Sequence, residues 1–198
     1  LDVFLTHAHL DHVVGITYLF DVLRDKAIDR VTVHGEPAKL AALEAHLFAE
    51  PLFPTRPPCE FQPLRAIETL PRGGRLVHFP VAHPGGAIGF RLEWPGHSLA
   101  YVTDTTATPD APYLENIRGV DLLLHECYFP DSMVEMAELT GHSVAGAVAQ
   151  LARIAGVGRL ILVHTSPAAD VSDAAIMADA QREFPPVELG VDLMEIDF

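Results

Sequence analysis

Four side chains able to hold a metal fall within six residues near the start of the chain, in Thr6-His7-Ala8-His9-Leu10-Asp11-His12. The stretch follows Leu1-Asp2-Val3-Phe4-Leu5, which reads as a strand, and precedes Ile16, Leu19, Phe20 and Leu23 at helical spacing, predicting a helix over 13–26. In extended chain, residues two apart point the same way, so His7 and His9 can grip one cation together. Where the chain turns into the helix, Asp11 and His12 swing to a different direction and can serve a second. Imidazole with carboxylate suits zinc, manganese or iron. A strand-to-helix corner carrying two half-shells cannot close either alone, so the fold must bring further ligands from elsewhere.

The rest of the chain offers them at strand ends. Strands are predicted near 31–34, 60–67, 75–82, 87–93, 98–103, 120–125, 159–164 and 192–196. Helices are predicted over 37–49, 111–117, 143–155 and 172–184. His83, Asp104 and His164 each follow one of these apolar strands, where a loop carries a functional group on a rigid base. No repeat, linker or low-complexity tract interrupts the series. The pattern is a single mixed α/β domain over 1–198, meandering strands first and βα units later.

Composition removes several classes of function. The longest run without Asp, Glu, Lys or Arg is the 15 residues between Arg75 and Arg91, and it contains Pro80, Pro84 and a glycine pair, so no membrane span fits. Net charge is −14, which argues against an extended nucleic-acid footprint. Two cysteines, Cys59 and Cys127, are too few for a disulfide framework, and the reducing cytoplasm is the expected compartment. The chain opens on a strand with no initiating Met, basic leader or signal-peptide core, and we expect an upstream segment to be missing.

The series Thr-His-x-His-x-Asp-His, then a lone His, an Asp and a final His, resembles the metallo-β-lactamase superfamily of αββα metallohydrolases. His83 with Gly89-Phe90-Arg91, Thr103-Asp104-Thr105, His125-Glu126-Cys127, Gly141-His142-Ser143 and Leu162-Val163-His164-Thr165-Ser166 resemble its ribonuclease Z and phosphodiesterase branch. The resemblance implies a four-layer αββα sandwich, with its first strands expected to be missing here. It implies two divalent cations, zinc first and manganese or iron as alternatives. His7, His9 and His83 would hold one, Asp11, His12 and His164 the other, and Asp104 would bridge them. Two cations about 3.5–4 Å apart lower the pKa of a shared water to about 7, which makes hydroxide available for attack at phosphorus or carbonyl carbon. Asp11 and His142 are the catalytic candidates. His142 resembles the branch's non-ligand histidine near the scissile bond, and on the predicted elements it opens the 143–155 helix. His125 and Glu126 would orient ligands by hydrogen bonds.

The branch's transfer-RNA enzymes carry a long basic arm between the third histidine and the aspartate. Here 20 residues separate His83 from Asp104, enough for a single hairpin. The branch also tends to carry an arginine four residues beyond the last ligand, where this chain has Ala168. With the acidic charge, these features predict a small or cyclic phosphodiester substrate rather than a transfer RNA precursor. The same ligands serve acyl hydrolases acting on lactones, thioesters or β-lactams, which is the competing enzymatic reading. Oxygen-reducing di-iron members usually replace the second histidine by glutamate, so His9 fits that reading poorly. A non-enzymatic, metal-stabilised binding subunit is the alternative of another class, and it fits poorly with a full set of seven ligands. An exposed sheet edge at the amino end would favour a homodimer.

Overall fold

The computed structural model describes residues 1–197. Contacts gather into two compact units, Leu1–Ala66 and the remainder from Ile67 onward, each with its own sheet and core.

In the first unit, three short strands run parallel in the order β1 (Asp2–Phe4), β2 (Thr32–Gly35), β3 (Glu60–Pro63). Parallel neighbours need a crossover. Between β1 and β2 it is α1 (Leu10–Val13), a tight 3-10 segment over Val14–Tyr18 and α2 (Leu19–Val22). The continuous helix expected over 13–26 is therefore broken. Val13-Val14-Gly15-Ile16-Thr17 combines β-branched residues with glycine, a poor α-helical run, and Thr17 donates its hydroxyl to the Val14 carbonyl at 2.7 Å. Between β2 and β3, α3 (Pro37–Ala42) opens on proline at its first position and loosens into a π turn over Leu43–Leu47. Leu5, Val13, Ile16, Leu19, Val33, Leu40 and Leu43 form the core. Leu5 extends the β1 pairing by donating its N–H to the His34 carbonyl at 2.8 Å, so the chain enters the histidine cluster from fixed backbone.

The second unit is a seven-stranded sheet in the order β10-β9-β8-β7-β6-β5-β4. From β4 (Glu68–Leu70) through β5 (Gly74–Val81), β6 (Ala87–Trp94) and β7 (His97–Val102) it is an antiparallel meander. The stretch between His83 and Asp104 is thus filled by the single β6–β7 hairpin, as its length predicts. From β7 onward, β8 (Leu122–Glu126), β9 (Arg159–Val163) and β10 (Val187–Leu189) run parallel. The connections carry α4 (Leu114–Ile117), α5 (Val134–Thr140), α6 (Ala145–Ala155) and α7 (Asp173–Glu183). The small residues of α6 (Ala145, Ala149, Ala152) let it pack closely in a core with Ala100, Val102, Leu160, Leu162, Ile176 and Phe184.

Further elements differ from the sequence reading, β4 among them, since it lies beyond the strand expected over 60–67. The last strand is β10, not 192–196: Pro185 and Pro186 end α7, and Val187 then pairs with Leu160. Beyond it the chain turns, with Leu193 almost fully exposed and left-handed at φ 63°. α5 carries no amphipathic stripe, only Ala137 being buried, and so gave no periodic signal.

Strand direction decides where chemistry collects. β5 is parallel to β7 because two antiparallel steps separate them, so the carboxyl ends of β5, β7, β8 and β9 share one edge of the sheet. His83, Asp104, Glu126 and His164 sit at those ends, the edge where open α/β sheets bind ligands.

Candidate metal centre

In the first unit the imidazoles crowd together, and the His7 ring is nearer to His12 than to His9 although the spacing predicts that His12 swings away. The His7 ring lies 4.7 Å from that of His9 and 4.1 Å from that of His12. His7 is buried, and its Nδ1 is 3.1 Å from the Thr6 hydroxyl, which makes Nε2 the atom that could ligate a cation. His9 is the last extended residue before α1, with φ −65° and ψ 150°. The backbone bends there, and Asp11 and His12 fall in the first helical turn, Asp11 Oδ2 3.2 Å from His12 Nε2.

In the second unit, Asp104 is buried and its two oxygens face different histidines. Oδ2 is 3.8 Å from His83 Nε2, and Oδ1 is 3.7 Å from His164 Nδ1. Two ligands about 2.0–2.1 Å from one tetrahedral zinc lie roughly 3.4 Å apart, so both pairs have close to the separation of co-ligands. The Thr103 hydroxyl donates to Asp104 Oδ1 at 3.1 Å. His83 Nδ1–H donates to the Gly141 carbonyl at 3.0 Å, which turns Nε2 toward Asp104. Gly141 is required at that spot: it ends α5 in the left-handed region at φ 77°, and a Cβ would stand 2.7 Å from Pro84 and 3.2 Å from His83 Nδ1. His164 is itself left-handed at φ 58°, a conformation that costs a non-glycine residue energy and that clusters at functional sites.

His142 stands beside these candidate ligands, its ring 5.3 Å from that of His83 and 5.6 Å from that of His164. It stacks on Tyr128 at 4.4 Å and 17°, and its Nδ1 is 3.4 Å from Glu126 Oε1. It does not open a helix. α6 begins at Ala145 after the extended residue Val144, so His142 lies three residues ahead of the helix rather than at its first turn. Glu126 is buried; its Oε1 accepts the N–H groups of Thr105 and Ser143, each at 3.0 Å. Desolvation pushes its carboxyl up to about 7, while the contact with His142 pulls the other way.

Residues 1–165 match the β-lactamase superfamily domain. The chain belongs to that superfamily. A ribonuclease Z from Methanosarcina acetivorans is 41% identical over 137 residues, which make up 69% of this chain. The match spans 42% of that ribonuclease Z's length. Among solved structures, the metallo-β-lactamase fold protein YhfI from Bacillus subtilis superposes with a TM-score of 0.78 at 19% identity, over 96% of this chain and 74% of its own. Zn(2+)-bound PqqB from Methylobacterium extorquens gives 0.71 at 22%, over all of this chain and 73% of its own. The mixed α/β architecture is the superfamily's fold. No described helix is long and apolar enough to cross a membrane.

Within the second unit of this superfamily member, sequence reasoning did not reach Gly141 as the orienting carbonyl or Tyr128 as the stacking face. It also grouped His125 with Glu126, and the structure separates them. His125 is fully buried on the other side of β8, donating Nδ1–H to the Glu126 carbonyl at 2.7 Å and accepting from the Tyr113 hydroxyl at 3.0 Å. Neither bond reaches a candidate ligand, and burial lowers the pKa of His125 to about 4 from 6.5. The folded chain therefore resists a proton that the unfolded chain takes up below pH 6.5. Stability is fully present above that value and falls as the pH drops toward 4, by about 3 kcal/mol for this group. Denaturant melts of the parent and His125→Gln should run parallel above pH 7 and differ by that loss between pH 6.5 and 4. Parallel curves throughout would show that His125 titrates normally.

Proposed function

We propose that this chain is the metal-holding part of a hydrolase that cleaves phosphodiesters, small or cyclic ones in preference to transfer RNA precursors. The observation that carries the reading is His142, set beside His83 and His164 by Tyr128 and Glu126. The donor chemistry fits a pair of divalent cations: His7, His9 and His83 would hold one, Asp11, His12 and His164 the other, and Asp104 has an oxygen for each. Zinc suits imidazole and carboxylate best, with manganese and iron as alternatives. When bound, such a pair supplies a water of lowered pKa and countercharge for a phosphate.

The chain's own residues would then act on protons and position. An alkoxide leaving from phosphorus needs a proton, and a thiolate or an activated acyl leaving group needs one less. With Nδ1 turned to Glu126, His142 offers Nε2 as the donor atom, and the stack on Tyr128 limits ring rotation. Thr6 and the Gly141 carbonyl fix the rings of His7 and His83, so both present Nε2. The short β6–β7 hairpin and the charge of −14 support the small substrate, since neither provides a basic track for RNA.

Side-by-side assays of the zinc- or manganese-loaded chain test this reading, with bis-p-nitrophenyl phosphate, a cyclic nucleotide, a 3′-extended transfer RNA precursor and a lactone as substrates. Turnover of the first two above the others is expected. Cleavage of the RNA alone would overturn the small-substrate assignment, and turnover of the lactone alone would overturn phosphodiester chemistry altogether.

A further inference from the structure

At the far end of the seven-stranded sheet from Asp104, a pocket of about 410 Å³ is lined by Arg72, Trp94, Pro95 and His97. That volume falls within the roughly 300–1,000 Å³ common to small-molecule sites. Trp94 is held firmly there: its indole N–H donates to the Pro71 carbonyl at 3.0 Å, and it seats so closely over Gly74 that a Cβ would come 2.2 Å from Nε1. Arg72 is left-handed at φ 61°, ψ 31°, in a turn where glycine would be at ease.

Arg72 also differs from every other arginine of its unit. Arg75 and Arg91 pair with Glu93, Arg118 with Glu115, Arg153 with Glu183, Arg159 with Glu188, and Arg182 with Asp179 and Asp131. Arg72 has no carboxylate partner among the described residues, and no lysine occurs after Lys39. An uncompensated guanidinium in so acidic a chain, strained into place beside a fixed indole, is the donor set for a ligand with a flat ring and an anion. Stacking on the indole recognises the ring, and the planar guanidinium fork recognises phosphate oxygens.

We propose that this pocket binds a nucleoside phosphate, with the base against Trp94 and the phosphate on Arg72 and His97. The proposal does not rest on the hydrolase reading. β7 alone separates His97 from Asp104 by about 20 Å of extended chain, too far for one mononucleotide to touch both.

Trp94 is the only tryptophan, so its fluorescence reports on the pocket directly. The full chain would be titrated with adenosine 5′-monophosphate, with adenosine and with inorganic phosphate, and the titrations repeated on Arg72→Gly and Asp104→Asn. Glycine suits the left-handed backbone at 72, and an unchanged melting temperature would show that the variant folds. A saturable change with the nucleotide is expected, about ten-fold weaker for adenosine and in Arg72→Gly, weakened by added salt and unaltered in Asp104→Asn. The proposal is overturned if the nucleotide gives no saturable change or binds Arg72→Gly as it binds the parent. Equal binding of adenosine, or loss of the signal in Asp104→Asn, would overturn it as well.

Discussion

Asp104→Asn is expected to lose hydrolysis by about 10³-fold or more while leaving the folded chain intact. The side chain is buried, and each of its oxygens faces a different histidine, His83 at 3.8 Å and His164 at 3.7 Å. Asparagine keeps the shape but offers one oxygen and no charge, so it can complete at most one of those two arrangements. The energetic sign is unusual for a buried substitution. Without cations, the parent keeps a buried carboxyl group where the variant has an uncharged amide of the same shape, and burying a charge is the costlier arrangement. The metal-free variant should therefore be at least as stable as the metal-free parent. With zinc present the order should reverse, because the parent gains binding free energy that the variant cannot. Elemental analysis after dialysis and paired melts with and without zinc would show both halves of this result. Full metal content with full turnover in Asp104→Asn would remove Asp104 from the centre.

How much of this could be read beforehand follows from the physics of each signal. His7, His9, Asp11 and His12 were readable because strand and helix-entry periodicities act over a few residues. His83, Asp104 and His164 were readable because each ends an apolar run. Their gathering at one centre came only from the family resemblance, since it depends on β5 and β7 running the same way, a property of pairing rather than of any segment. His125 marks a signal that was available and misapplied. Neighbours in a strand point to opposite faces, so His125 and Glu126 could not both serve the ligands, and the unbroken apolar run Leu122-Leu123-Leu124 obscured which face was which. α5 left no pattern to read, because a seven-residue helix with one buried side chain has none. The Gly141 carbonyl was beyond sequence reasoning altogether: it is a backbone group of a residue 58 positions from the ring that it orients.

His142→Ala should reduce turnover of an alkyl phosphodiester by about 10²–10⁴-fold, the span of a lost general acid. The proposed ligand set leaves His142 out, so bound metal should not change. Size alone does not separate proton donation from packing, because the ring also stacks on Tyr128 and alanine would leave a gap there. The leaving group separates them. p-Nitrophenolate departs without a proton, so bis-p-nitrophenyl phosphate should lose far less than a cyclic nucleotide, whose leaving oxygen is an alkoxide. A ring that only packs would depress both substrates alike. Glu126→Gln carries the test one residue further. It keeps an oxygen for the Thr105 and Ser143 N–H groups but withdraws the carboxylate from His142 Nδ1, so its loss should show the same leaving-group dependence at smaller size. If both variants slow the two substrates equally, His142 is a packing residue and the proton must come from elsewhere.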